Sequence, residues 1–172
     1  MKASKFIILV GGILGLIAFF LPLITLKGTT ETASAFQIVK GIDDAQTAIS
    51  KDVKTNAASM SRDSKAFAKG ADDGLGAIKG FVFAIFLPAL VFAVIGGLGV
   101  ARKKFGRVAG TFSLILGLLG LGVAALLRSA AAESTSGGAG IALTLLIVTG
   151  LAGIVGGIMA LVKPERPVNA PM

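Results

Sequence analysis

Four long uncharged apolar blocks punctuate the chain, at 6–26, 81–100, 108–127 and 141–162. Each has about the 20 residues an α-helix needs to cross a hydrocarbon core roughly 30 Å thick. No Asp, Glu, Lys or Arg lies inside any of them. The pattern predicts an all-α integral membrane protein. Its expected form is a four-helix transmembrane bundle, with a long amphipathic outer helix between spans one and two. Residues 1–172 make a single membrane domain.

Between the first two blocks the pattern changes. The segment 27–80 carries eight Lys/Arg and seven Asp/Glu. Its start is ambiguous. Thr29, Thr30 and Thr32 favour an extended strand, whereas Ser34-x-x-Gln37 has the form of a capping box that opens a helix. So 28–40 is strand or helix. From Ile42 onward, Ala45, Ile49, Val53, Ala57, Met60, Ser64, Phe67 and Ala71 follow one another at three or four residues. That spacing is a thin helical stripe. It predicts one helix of about 28 residues, near 42 Å at 1.5 Å per residue. Gly70 then suits the left-handed position just past a helix end.

A decapeptide recurs inside this segment. KGIDDAQTAI at Lys40–Ile49 and KGADDGLGAI at Lys69–Ile78 share six of ten positions at an offset of 29. Paired carboxylates in duplicate raise the question of a calcium site, since hard cations take several clustered oxygens. On one straight helix the pairs would lie about 40 Å apart and could not share an ion. A hairpin bent near 56–61 would bring them together, but the stripe runs through that region. The acids then read as helix-start signals placed at the positive end of the dipole.

Composition sharpens the class. The chain is 54% hydrophobic over 172 residues and has no Cys, His, Trp or Tyr; its mean hydropathy is +0.87. Absent Cys removes disulfides and thiolate metal sites. Absent His removes the usual base near neutral pH. No ionisable residue lies within the blocks, which disfavours proton relays and charge-coupled transport. The polar residues there are Thr25, Thr111, Ser113, Thr144 and Thr149. No P-loop or nucleophile–base pair stands out, so the reading is of a protein that is not an enzyme, with no cofactor and no metal.

The net charge of +8 is distributed by topology. The connection 101–107 carries Arg102, Lys103, Lys104 and Arg107, against Arg128 alone in 128–140. Short loops rich in Lys and Arg stay in the cytoplasm. The expected cytoplasmic parts are therefore loop 101–107, tail 163–172 and the N-terminus with Lys2 and Lys5. They sum to +7, from eight Lys/Arg and one acid. The outer parts sum to +1, from nine Lys/Arg and eight acids. No basic face interleaved with aromatics marks a nucleic-acid partner. Ala33-Ser34-Ala35 looks like a signal-cleavage site, but the apolar run before it is too long for a signal peptide. The reading is a retained first helix, both termini in the cytoplasm and loop 27–80 outside.

Small residues recur at packing spacings, notably Gly11 with Gly15 and Gly153 with Gly157. In lipid such faces let helix backbones approach. Pro22 and Pro88 sit in echoing quartets, FFLP and IFLP, and predict kinks. The run FFLPLITL followed by SAFQIVKG resembles small uncharacterised bacterial four-span membrane proteins. In them a Leu-Pro-aromatic motif ends span one and a Ser-Gly-Phe segment follows. Here Leu23 stands for the aromatic and Ala35 for the Gly, and the match covers about 19–41. The resemblance implies the bacterial inner (plasma) membrane and no activity. The long first and short second outer loop is similar to claudin-type tetraspans in topology only.

The expected function is a non-enzymatic scaffold or accessory subunit in the lipid bilayer. It would self-associate as a homo-oligomer, or bind other membrane subunits, through the stripe Ile42, Ala45, Ile49, Val53, Met60 and Phe67. The alternative is a homo-oligomeric pore or channel between subunits.

Overall fold

The computed structural model describes residues 3–26, 32–56, 59–101, 106–133 and 137–162. Arg102, Lys103, Lys104, the tail 163–172 and Ala57 lie outside the described residues. The described chain is mostly helical. In order it forms α1 (Ser4–Ala18), β1 (Pro22–Leu26), β2 (Thr32–Ser34), α2 (Ala35–Thr55), α3 (Arg62–Ala101), α4 (Arg107–Glu133), β3 (Gly137–Ala139) and α5 (Ile141–Val162). Three helices, α3, α4 and α5, are long and apolar enough to cross a membrane, while α1 is a shorter apolar helix.

The first apolar block is not helical throughout, as 6–26 was expected to be. The amides of Phe19, Phe20 and Leu21 bond back to Leu16, Ile17 and Ala18 in tightened i to i+3 bonds. Pro22 then has no N–H to continue the ladder and disfavours a helical Leu21. The chain turns and continues as β1. Pro22 is therefore not a kink within a span; it opens a strand. Its counterpart Pro88 lies inside α3 and does not end it.

β1 is the centre of a three-stranded antiparallel sheet in the order β2-β1-β3. Ile24 faces Ala33 on one side and Ala139 on the other, and the register breaks between Pro22 and Ile24. The Gly140 amide donates to the Leu23 carbonyl at 2.9 Å. A Cβ at Gly140 would run into the Pro22 carbonyl, so only glycine lets β3 close on β1. The stretch 32–34 is extended and Ser34 then caps α2, so the strand and the capping box both occur, in succession. Ser34 Oγ accepts from the Gln37 amide at 3.2 Å, and Gln37 Oε1 accepts from the Ser34 amide at 2.9 Å.

The single long polar helix does not form. α2 ends at Thr55 and α3 starts at Arg62, so the chain folds into a helical hairpin. Local polar groups stop the helix. The Asn56 side chain bonds Asp52 Oδ1 at 2.8 Å, and the amides of Ser59 and Met60 turn back to the Asn56 carbonyl at 3.0 Å. Ser61 Oγ accepts from the Ser64 amide at 3.2 Å, which starts α3. Gly70 does not end a helix, because α3 runs through it for 40 residues.

α1 lies against both α3 and α5, α4 packs along α5, and α4 touches α3 only lightly. Their contacts are close enough to need glycine. A Cβ at Gly12 would collide with the Ala93 backbone, and one at Gly96 would lie 2.6 Å from the Leu9 amide. Ile8 and Phe92 are completely buried in this body. A second cluster joins Ala18, Ala35, Val39, Val82, Phe86 and Leu143 where the hairpin meets the apolar helices. Phe19 sits at that junction with Phe20, Phe36, Phe83 and Phe86 around it, at centroid distances from 5.2 to 6.4 Å. Edge-to-face and stacked rings at such distances add to the burial.

Candidate interaction surface: the polar hairpin

The hairpin is built from α2 and the first turns of α3. Ile42 is buried at its base, and Ala45, Ile49, Val53 and Met60 are half-buried along it. Most of the stripe therefore meets the same chain. Phe67 is the exception. It is 80% exposed, off the seam that Ala68 and Ala71 help to line. The stripe positions thus divide into a seam that holds the hairpin together and one large apolar side chain left outside.

The two copies of the decapeptide lie side by side across this seam, and not at opposite ends of a helix; their acid pairs, expected at helix starts, lie inside α2 and α3, which begin earlier at Ala35 and Arg62. Lys79, just past the second copy, forms an ion pair with Asp43 in the first. Gln46 Nε2 donates to the Asp72 carbonyl at 3.2 Å. The acids are not gathered for calcium even so. Among the described residues no group of three or more Asp, Glu, His or Cys could hold a metal ion.

Crevices open on opposite sides of the seam. One, of about 520 Å³, has Asp52, Met60, Asp63, Ser64 and Phe67 on its walls. The other, of about 260 Å³, has Ser50, Lys54, Lys65, Lys69 and Asp72. Ile49, Val53 and Ala68 line both, so the two share an apolar floor at one height. Helical geometry explains the separation: at 100° per residue, Asp52 and Lys54 fall on opposite flanks of α2, and Asp63 and Lys65 on opposite flanks of α3.

The remaining sequence-predicted residues lie in the apolar body. Gly11 lies against Ala152 and Gly15 against Ala89 and Thr149. Gly153 faces the Phe92 ring, and a Cβ at Gly157 would come 2.7 Å from the Gly110 carbonyl. Arg107 is the first residue of α4, and its carbonyl accepts from Thr111 Oγ1 at 3.1 Å. Sequence reasoning passed over Gly12 and Gly96, which make equally close contacts with Ala93 and Leu9; Gly156, which continues the small-residue face of the last block, lies against Ile8. It also gave no role to Thr149, whose buried hydroxyl is shared between the Leu145 carbonyl at 2.9 Å and the Gly11 carbonyl at 3.1 Å. A polar residue amid glycines was the available signal, because in an apolar setting its hydroxyl must find an acceptor.

The structure therefore defines a helical protein with a close-packed apolar body and a polar hairpin whose seam displays two oppositely charged crevices, beside a further shallow one on α2 lined by Ala48, Lys51, Asp52 and Thr55. No family, curated protein or solved structure matches the chain. The likeness of 19–41 to bacterial four-span proteins rests on those residues alone.

Proposed function

We propose that the chain is a non-enzymatic membrane scaffold or accessory subunit that uses the hairpin as its contact element. The observation that carries this reading is Phe67, 80% exposed beside an open seam on an otherwise charged hairpin. A large apolar side chain rimmed by polar groups is the usual anchor of a protein contact.

In this reading the apolar body is a four-span bundle in the bacterial inner membrane. α1 has 15 residues, about 22 Å of helix, and β1 adds roughly 16 Å of extended chain, enough for a core of about 30 Å. Pairing with β2 and β3 satisfies the backbone groups of β1, while the open outer edges of β2 and β3 belong at the membrane surface, where water reaches them. The basic connection 101–107 then faces the cytoplasm and the hairpin faces outward.

The test replaces 50–69 with a short glycine turn in the full chain, leaving the hairpin base and its Asp43–Lys79 pair in place. Membrane insertion should persist, while native complexes extracted in mild detergent lose mass. Complexes of unchanged mass would refute the reading. Orientation is checked with Ser64→Cys in this cysteine-free chain. A membrane-impermeant maleimide should label it on intact cells; labelling only after lysis reverses the topology.

A further inference from the structure

We infer that the hairpin's partner is a second copy of this chain, docked head to tail through the two crevices. The inference rests on the membrane-scaffold reading above and names the partner that reading leaves open. Copies anchored in one membrane share a height and a direction. They are related by rotation about the membrane normal, so any lateral contact joins surfaces at the same level. The two crevices meet that condition because they share the floor residues Ile49, Val53 and Ala68.

Charge then selects the pairing. The crevice of about 520 Å³ presents Asp52 and Asp63, and the one of about 260 Å³ presents Lys54, Lys65 and Lys69 beside a single acid, Asp72, so the two carry opposite net charge. A self-matching contact would set acids against acids or lysines against lysines, which is costly. A head-to-tail contact sets acids against lysines. Exposed ion pairs contribute little by themselves, so they choose the direction while apolar burial holds the contact. Phe67 stands on the acidic side, and the lysine-lined crevice of the next copy offers it an apolar floor. A head-to-tail contact propagates, and it closes into a ring when the rotation divides a full turn.

Single cysteines test the pairing in the full-length protein, in detergent or nanodiscs. Ser64→Cys marks the acidic crevice and Ser50→Cys the basic one. A mixture of the two chains should cross-link on oxidation, and each chain alone should not. Self-cross-linking of either chain, or none in the mixture, overturns the inference. Charge reversal supplies a second readout. The Asp52→Lys/Asp63→Lys chain and the Lys54→Glu/Lys65→Glu/Lys69→Glu chain should each dissociate by at least about tenfold, the equivalent of about 1.4 kcal/mol. Mixed together they should reassemble, because each then meets its opposite; failure to recover on mixing overturns the inference. The glycine-turn variant separates the two proposals. If it loses native mass while no cross-link forms, the partner is a different protein and the scaffold reading stands.

Discussion

Gly12 and Gly156 in the apolar body and Gly41, Gly70 and Gly74 in the hairpin are the same residue in opposite surroundings. A Cβ added at either of the first two would collide with Ala93 or Ile8; one added at any of the other three would meet nothing within 4 Å. In the body, glycine is a contact: its missing side chain is the space another helix occupies. Helices in an apolar medium gain little from hiding apolar surface, so close backbone approach becomes the attraction. In the hairpin, glycine is a weakness, for each helical glycine costs roughly 1 kcal/mol against alanine and returns no contact. The body is therefore stiff by packing, and the hairpin is held by a thin seam, the Asp43–Lys79 ion pair, the Gln46–Asp72 hydrogen bond and its caps.

Substitutions can break that contrast or sharpen it. The largest effect is expected in the body. Gly12→Val should destabilise at or above the upper end of the roughly 1–3 kcal/mol of overpacking, since the obstacle is backbone and cannot rotate away. Unfolding in mixed detergent micelles measures it, and a stability near that of the parent would contradict the packing described here. The same kind of change in the hairpin should have the opposite sign. Gly74→Ala is expected to stabilise α3 by about 1 kcal/mol, seen as slower amide exchange over residues 70–78; faster exchange would show that Gly74 has a neighbour after all.

Polar contacts should matter less in both regions. Thr149→Val keeps the shape and removes the α5-to-α1 hydrogen bond, at an expected cost of about 0.6 kcal/mol. A loss several times larger would mean the hydroxyl organises more than one contact. The smallest effect belongs to the hairpin. In the Asp43–Lys79 pair Asp43 is exposed and Lys79 half-buried, so Asp43→Asn should cost at most about 0.5 kcal/mol and less at high salt. A cost that does not shrink with salt would place the pair in a drier setting.

Legibility from sequence follows the range of the interaction that decides each feature. The apolar block 141–162 coincides with α5 because composition over 22 residues outweighs anything local. The Ser34–Gln37 capping box was readable because both partners lie within four residues. The break at 56–61 was not. Its spacing of three and four residues continues the stripe across the turn, and Ala57 and Ala58 favour a helix there. What ends α2 is the polar bonding of Asn56 and Ser61, together with the burial that folding back provides. The first block misled for a related reason. Its apolar content says nothing about whether 22–26 is helix or strand, and β1 found its two partners in 32–34 and 137–139.

The candidate surface was legible in part. The stripe pointed to the segment that forms the hairpin seam, and the duplicated decapeptide to the two stretches that lie side by side there. Neither could say that Ile49 and Val53 would face Ala68 and Ala71 of the same chain while Phe67 stayed outside. Periodicity assigns residues to a face of a helix and leaves open what that face meets.

By itself, then, the amino-acid sequence determined the number and extent of the apolar blocks, the partition of charge between the connections and the capping box that starts α2. These are short-range or compositional properties, settled by the medium and by neighbours within a turn. The tertiary structure alone decided the hairpin, the sheet around β1, which helix each glycine admits, and the antiparallel alignment of the two KGxDDxxxAI copies. Each of those joins residues far apart in the chain. Their free energy comes from surfaces that exist only once the chain has folded.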